Sequence, residues 1–259
     1  MVIEGSNIHV KYGDFLAVEK MDICIDKNEI TTIIGPNGSG KSTVLKALTR
    51  LLKINQGMVY FDGRALHEYG TKELARRVGV LPQRHTAPTD FRVKELVSYG
   101  RMPHQKFFGG MSAEDREIID WAMKVTEIYH LRDKSIHEIS GGESQRVWIA
   151  TVLAQKPEIL FLDEPTTYLD IMHQLETMQL VKNLNRETGI GVVMVLHDLV
   201  HAMEVSDRII VIKDGRKYSE GKPEDVITPV MMREVYDVDC SIVNINGRQR
   251  PTIVYAELV

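Results

Sequence analysis

The chain is written in two rhythms. From residue 2 to 34 apolar and polar positions alternate, with turn signals at Tyr12-Gly13-Asp14 and Asp26-Lys27-Asn28. A period of two belongs to a half-buried strand, so this stretch predicts a β-hairpin, or three short antiparallel strands, leading into a further strand. That strand is Ile30-Thr31-Thr32-Ile33-Ile34, a largely apolar run that reads as buried. Similar short runs recur at Met58 to Phe61, Val78 to Leu81, Ile159 to Leu162 and Val192 to Leu196, and Arg208 to Lys213 with Asp214-Gly215 suggests a hairpin. Ile159 to Leu162 is apolar on both faces, which fits a central parallel strand.

A helical period fills the remainder. Lys41 to Leu52 reads as one helix, and Leu74 to Arg77 closes a short one. Between about 84 and 156 helical periodicity replaces the strand signals. Ser112 with Asp115 three residues on opens a helix as a capping box. Ile118, Ala122, Val125, Ile128 and Tyr129 are its expected apolar face. Ser140-Gly141-Gly142-Glu143 begins a second helix with Val147, Ala150, Leu153 and Ala154 inward, stopped at Lys156-Pro157. Asp170 to Glu187 forms a third, stopped by Gly189. Residues 223–259 read as a short helical pair followed by strand-like Ile242 to Ile245 and Thr252 to Tyr255. The stretch 84–111 carries Pro88, Pro103, Gly109 and Gly110, with Phe91, Met102, Phe107, Phe108 and Met111. Such a stretch is either a docking surface for a partner or a helical hairpin that buries those side chains.

Composition narrows the classes. A net charge of −4 and a pI near 6.2 do not suit a nucleic-acid binder, which carries a basic face. The two cysteines, Cys24 and Cys240, make no disulfide framework and favour a reducing compartment. No run of 18 apolar residues spans a bilayer, and Met1 to Lys11 does not read as a signal peptide. If such a protein serves a membrane, it does so from the cytoplasmic face, through a partner.

The chemistry sits at strand ends. Gly35-Pro36-Asn37-Gly38-Ser39-Gly40-Lys41-Ser42-Thr43 follows one predicted strand and opens a helix, the context a P-loop requires. Its glycines let the backbone approach a phosphate, and its N–H groups with the helix N-terminus face the anion. Lys41 would reach the β- and γ-phosphates, and the Ser42 hydroxyl would ligate Mg²⁺. Gln83, Asp163, Glu164 and His197 each follow a predicted strand, where an open parallel sheet binds its ligands. Asp163 would hold Mg²⁺ and Glu164 would polarise the attacking water. His197 would contact the γ-phosphate or hold Glu164 and the water, and Gln83 would bind Mg²⁺ or the water. Tyr12, beside the Gly13-Asp14 turn, offers a ring on which a purine could stack.

In this order the motifs resemble the ATPase subunits of ABC transporters. Gly35 to Thr43 looks like the Walker A motif, Ile139-Ser140-Gly141-Gly142-Glu143 the signature, Ile159 to Glu164 the Walker B, Thr166-Thr167-Tyr168-Leu169-Asp170 the D-loop and His197 the H-loop. Gln83 stands at the Q-loop glutamine and Tyr12 at the adenine-stacking aromatic. The resemblance covers roughly residues 2–221. The signature departs from the usual Leu-Ser-Gly-Gly-Gln by ending in Glu143. The resemblance implies an α/β fold: a P-loop NTPase (RecA-like) core with a mostly parallel sheet, an N-terminal antiparallel β-subdomain and an inserted helical subdomain. It implies one domain over 1–259: core and β-subdomain at 1–83 and 157–222, helical subdomain at 84–156, and a C-terminal extension at 223–259.

It also implies ATP and Mg²⁺ as ligands and a head-to-tail homodimer. Each ATP would lie between one copy's Walker A and the other's Ser140, Gly141, Gly142 and Glu143, with Asp170 signalling across. A membrane permease would dock near 84–111, a substrate-binding protein would take part indirectly, and no nucleic acid would. Tyr99-Gly100-Arg101-Met102-Pro103-His104 and Pro165 to Ile171, with His173-Gln174, look most like the ATPases of iron-siderophore, haem and cobalamin importers. Zinc or manganese importers are the nearer alternative, and a soluble ATPase acting on nucleic acid or ribosomes the more distant one.

Overall fold

The structure is a computed structural model, described here over residues 2–87, 90–105, 110–243 and 250–258. In chain order, β1 (Ile3–Tyr12), β2 (Phe15–Ile25) and β3 (Ile30–Ile34) lead into α1 (Lys41–Leu48). Then come β4 (Gln56–Phe61), β5 (Arg64–Ala65), α2 (Thr71–Arg77) and β6 (Val78–Leu81). The helices α3 (Val93–Ser98), α4 (Ala113–Val125) and α5 (Gly141–Leu153) precede β7 (Ile159–Asp163), α6 (Ile171–Thr188) and β8 (Gly191–Val195). The chain closes with α7 (Leu199–Val205), β9 (Arg208–Lys213), β10 (Arg216–Gly221), α8 (Pro223–Val226), α9 (Pro229–Tyr236), β11 (Val238–Val243) and β12 (Thr252–Leu258).

These elements form two compact units. The first comprises residues 1–68 and 193–259, the second residues 69–192. In the first, the alternating stretch forms an antiparallel sheet in the order β2-β1-β4-β5. Its inward positions, among them Ile3, Ile8, Val10, Val18 and Ile25, are completely buried, as a period of two requires. Bulges interrupt the β1–β2 register between Gly5 and Lys11, and Gly13 turns the hairpin at φ +59°. The strand before the glycine loop does not join this sheet. β3 pairs in parallel with β9, Ile33 opposite Ile210, and β10 returns antiparallel to β9. A strand buried on both faces needs neighbours on each side, which a hairpin alone cannot give.

Two predicted boundaries move. α1 stops at Leu48 rather than Leu52, because Thr49 turns its hydroxyl back to the Leu45 carbonyl and Arg50 takes a left-handed φ of +60°. Leu51 is left exposed. β11 begins earlier than expected, at Val238, and pairs antiparallel with β12, while Ile245 lies outside the described residues. Arg250 donates to the Met203 and Ser206 carbonyls, which ties this hairpin to α7.

The second unit carries its helices around a parallel pair, β6 and β7. α3 packs on α4 and on α5, with Val93, Val97, Ala122, Met123, Val147, Ala150 and Leu153 fully or nearly fully buried. α4 turns a different face inward than its periodicity suggests. Ile119, Ala122 and Met123 are buried, while Ile118 and Val125 are only half-buried. The expected apolar face treated the helix as running on to Tyr129. Instead Thr126 back-bonds to the Ala122 carbonyl and Glu127 is left-handed at φ +61°, so Ile128 is buried from beyond the helix end.

Arg101 and Asp115 brace this unit from inside. Arg101 is 4% exposed, and its Nε donates to Asp115 Oδ1 at 2.8 Å and its Nη1 to the Ala154 carbonyl at 2.7 Å. The guanidinium, with the Ser112 capping bonds, lowers the Asp115 pKa to about 2. Gly100 is required beside it: a Cβ there would lie 2.0 Å from the Thr151 carbonyl oxygen. His104 Nε2 meets the Gln155 carbonyl at 2.8 Å. The stretch that the sequence offers as a mark of one transporter class is therefore also an internal strut.

Candidate active site

In the first unit the site is a loop of backbone. β3 delivers Gly35, whose φ is +151° and whose Cβ, if present, would stand 2.1 Å from the Ile212 carbonyl oxygen. Gly40 caps α1 in the left-handed region at φ +101°, with no side chain bonded to the helix terminus. Lys41 is buried, and its ammonium donates to the carbonyls of Gly35 at 2.9 Å and Pro36 at 3.0 Å. The ammonium therefore lies over the loop rather than in solvent. The Ser39 hydroxyl is buried with no hydrogen-bond partner among the described residues, a state that costs stability unless a ligand oxygen completes it. A cationic loop with an unsatisfied hydroxyl at a helix N-terminus fits a polyphosphate.

Two further candidate residues lie in this unit. Leu196 N donates to the Ile33 carbonyl at 3.3 Å, so the chain after β8 runs beside the end of β3. This puts His197, exposed, next to the strand that feeds the loop. Asp198 caps α7 by accepting from the His201 amide at 2.9 Å. At the β1–β2 turn Tyr12 pairs directly with Phe15, and both rings are exposed. Phe15 is a second exposed ring at this turn that inspection of the sequence alone passes over.

In the second unit the register of one parallel pair sets the chemistry. Leu81 stands opposite Leu162, so Gln83 and Glu164, each two residues on, emerge abreast. Gln83 Nε2 donates to Glu164 Oε2 at 2.5 Å, and Thr167 Oγ1 donates to the same oxygen at 3.0 Å. Glu164 itself is left-handed at φ +55°, a conformation that a β-carbon resists and that tends to be kept where function needs it. Asp163, the last residue of β7, is buried. The sequence offers Gln83 as a ligand to metal or water. The structure adds that its amide nitrogen positions the carboxylate, leaving the amide oxygen as the acceptor. Thr167 was not singled out by sequence, although its spacing of three from Glu164 is that of a turn-closing side chain.

His85 follows Gln83 by two residues and packs on Trp148 of α5, ring centroids 4.8 Å apart. Burial lowers its pKa below the ordinary imidazole value. The glutamine loop is thereby fixed to the helix that starts at Ser140.

That helix begins with a complete capping box. Ser140 Oγ accepts from the Glu143 amide at 3.2 Å, and Glu143 Oε2 accepts from the Ser140 amide at 2.7 Å. The bond from the Ser140 backbone lowers the Glu143 pKa, so the carboxylate stays charged at the helix's positive end. Asp170 caps α6, its Oδ1 accepting both the His173 amide at 2.9 Å and His173 Nδ1 at 2.7 Å. Those bonds lower the Asp170 pKa, the backbone one first.

Among the described residues no three His, Cys, Asp or Glu side chains are gathered to hold a metal. Gln83 and Asp163 of the second unit carry an amide oxygen and a carboxylate, and Ser42 of the first unit carries a hydroxyl. Hard oxygen donors of these kinds suit Mg²⁺, which keeps its waters and shares phosphate oxygens. Of the expected docking residues, Pro88, Phe107, Phe108 and Gly109 lie outside the described residues, while Phe91 is half-buried against Tyr99 and Met102 is exposed.

Comparison with known proteins gives the family. The family model described as ABC transporter matches residues 18–167. The iron(3+)-hydroxamate import ATP-binding protein FhuC of Bacillus subtilis is 46% identical over 257 residues, covering 99% of this chain and 96% of the relative. The ferric enterobactin transport ATP-binding protein FepC of Escherichia coli is 41% identical, covering 97% and 93%. Among solved structures, CbiO1 of Clostridium perfringens, part of the ABC transporter complex CbiONQ, superposes with a TM-score of 0.76 at 32% identity, over 87% of this chain and 90% of that one. The cassette MJ0796, a dimer in a post-hydrolysis state with ADP and Pi, does so with a TM-score of 0.72 at 33% identity, over 85% and 98%.

Proposed function

This chain belongs to the ABC transporter family and is an ATP-hydrolysing subunit coupled to transport, and we propose that the cargo it drives inward is a ferric siderophore, the hydroxamate class first. The observation that carries this is the 46% identity to the hydroxamate import subunit, which runs through 99% of the chain rather than through the motifs alone. Petrobactin and enterobactin subunits are nearly as similar, at 40% and 41%, so iron chelates as a class are better supported than any one of them.

The mechanism proposed assigns each residue one task. Gly35 to Thr43 hold the triphosphate, with Lys41 leaving the loop carbonyls for the β- and γ-phosphates. Tyr12, with Phe15 beside it, stacks on the adenine. Ser42, Asp163 and the Gln83 amide oxygen would hold Mg²⁺, which supplies charge neutralisation at the transferring phosphoryl group. Glu164, oriented by Gln83 and Thr167, accepts a proton from the attacking water, and His197 bonds the γ-phosphate.

Ser140, Gly141, Gly142 and Glu143 of a second copy close over the nucleotide. The Glu143 carboxylate is engaged with its own helix, so the Ser140 hydroxyl, the two glycine amides and the helix end are the groups available to it. A homodimer on the inner face of the membrane, joined to permease subunits near 84–111 and served by a binding protein, is the assembly this implies. Ile171, Met172 and Leu175 support it, as an exposed apolar stripe on α6 beside Asp170, with Tyr168 exposed in the turn before it. No described helix is long and apolar enough to cross a membrane.

Uptake by a deletion strain tests the cargo. Loss of labelled ferric hydroxamate uptake, restored by the gene, is expected, while undiminished uptake of that chelate with loss of vitamin B12 or zinc uptake overturns the reading. For the hydrolysis step, Glu164→Gln should lower turnover by about 100-fold or more while ATP still binds. Hydrolysis at the parental rate would remove Glu164 as the base.

A further inference from the structure

We propose that His173 is a positioning residue that locks the D-loop aspartate to the Ser140–Gly142 corner, so that both reach the partner copy's nucleotide as one rigid piece. Asp170 Oδ1 receives two donors from the same residue, the His173 amide and the His173 Nδ1 hydrogen. An ordinary aspartate cap takes only the first. The second consumes the acceptor capacity that would let this carboxylate swing away, and it fixes the imidazole with its proton on Nδ1.

The ring so fixed lies against α5. A Cβ on Gly142 would stand 1.9 Å from His173 Cδ2 and 2.7 Å from Nε2. Only glycine leaves room for the ring, although Gly142 sits in ordinary helical backbone and needs no conformational freedom for itself. Two requirements meet here: the ring needs glycine at 142, and the aspartate needs the ring's donor. One turn further along, Arg146 of α5 bonds Glu176 of α6 at 2.5 Å, so the two helices are pinned to each other behind the contact. A displacement of the corner therefore moves Asp170, and a displacement of Asp170 moves the corner. The ring also lines a cavity of about 290 Å³ with Ser140, Glu143, Met172 and Glu176, which gives it space to leave if the bond to Asp170 is lost.

The inference rests on the reading that a second copy completes the site. Two variants separate donor from bulk. His173→Leu keeps a side chain against Gly142 and removes the donor, whereas His173→Asn returns an N–H close to where Nδ1 stands. With His173→Leu the turnover number should fall about tenfold while the KM for ATP changes less than twofold, and His173→Asn should recover most of that loss, since a hydrogen bond to a charged group is at stake. Parental turnover in His173→Leu, or equal defects in both variants, overturns the proposal. A thermal melt accompanies each: a His173→Leu defect that scales with lost stability, and is not mended by Asn, assigns the residue to folding and likewise overturns it. Separately, Glu164→Gln with His173 intact should dimerise on adding ATP. If it stays monomeric, the two-copy site is what has failed, whatever the His173 variants do.

Discussion

Two helices of this protein start at glycine-rich corners, and their N-termini are finished in opposite ways. α1 begins at a left-handed glycine with no side-chain cap, under an ammonium that its own loop holds in place. α5 begins at a serine and a glutamate that cap each other's backbone. A helix with such a cap is stable on its own account, and one without it leaves its positive end for a ligand. The contrast fits the proposed division, in which α1 grips the nucleotide and α5 meets what another copy already holds. It also accounts for the departure at Glu143, since a glutamate at the third position of a capping box does the cap's work as a glutamine would.

The largest effect should come from the uncapped end. Lys41→Ala is expected to weaken ATP binding by about 100-fold, because it deletes charged hydrogen bonds to the phosphates. Equilibrium binding of a fluorescent ATP to the single chain measures this, and near-parental affinity would abolish the contrast.

An effect of similar size, on stability rather than binding, should come from the strut at the far end of α5. Arg101→Met strands the buried Asp115 carboxylate and should cost about 3 kcal/mol in a denaturant melt, with ATP affinity unchanged. The same pair predicts an acid response. The Asp115 pKa falls from 3.8 in the unfolded chain to about 2 in the folded one, so its contribution is complete above pH 4 and disappears as the pH falls through 2. Asp115→Asn should flatten the part of the melting-temperature profile between those values, and an unchanged slope would show that other carboxylates set it.

The smallest effects should lie at the cap itself. Ser140→Ala should cost about 1 kcal/mol of stability and leave ATP binding to the single chain within twofold. Glu143→Gln should be close to neutral in both. A large loss of single-chain ATP affinity from either would put the corner in its own copy's site.

Much of this was readable from the residues. A strand, a glycine loop and a helix in succession identify a phosphate site because each piece is local, and the capping box at Ser112 is a four-residue signal. The alternation of β1 and β2 is equally local. Tertiary structure decided what depends on distant segments meeting. Gln83 and Glu164 are 81 residues apart, and only the parallel register of β6 on β7 makes them partners. The inward face of α4 shifted because Thr126 and Glu127 end the helix, so that Ile128 is buried from outside it. His173 and Arg101 had nothing in their neighbourhoods to mark them as a lock and a strut. A side chain's partners across the fold are set by packing, and packing is not periodic, so no pattern along the chain could announce them.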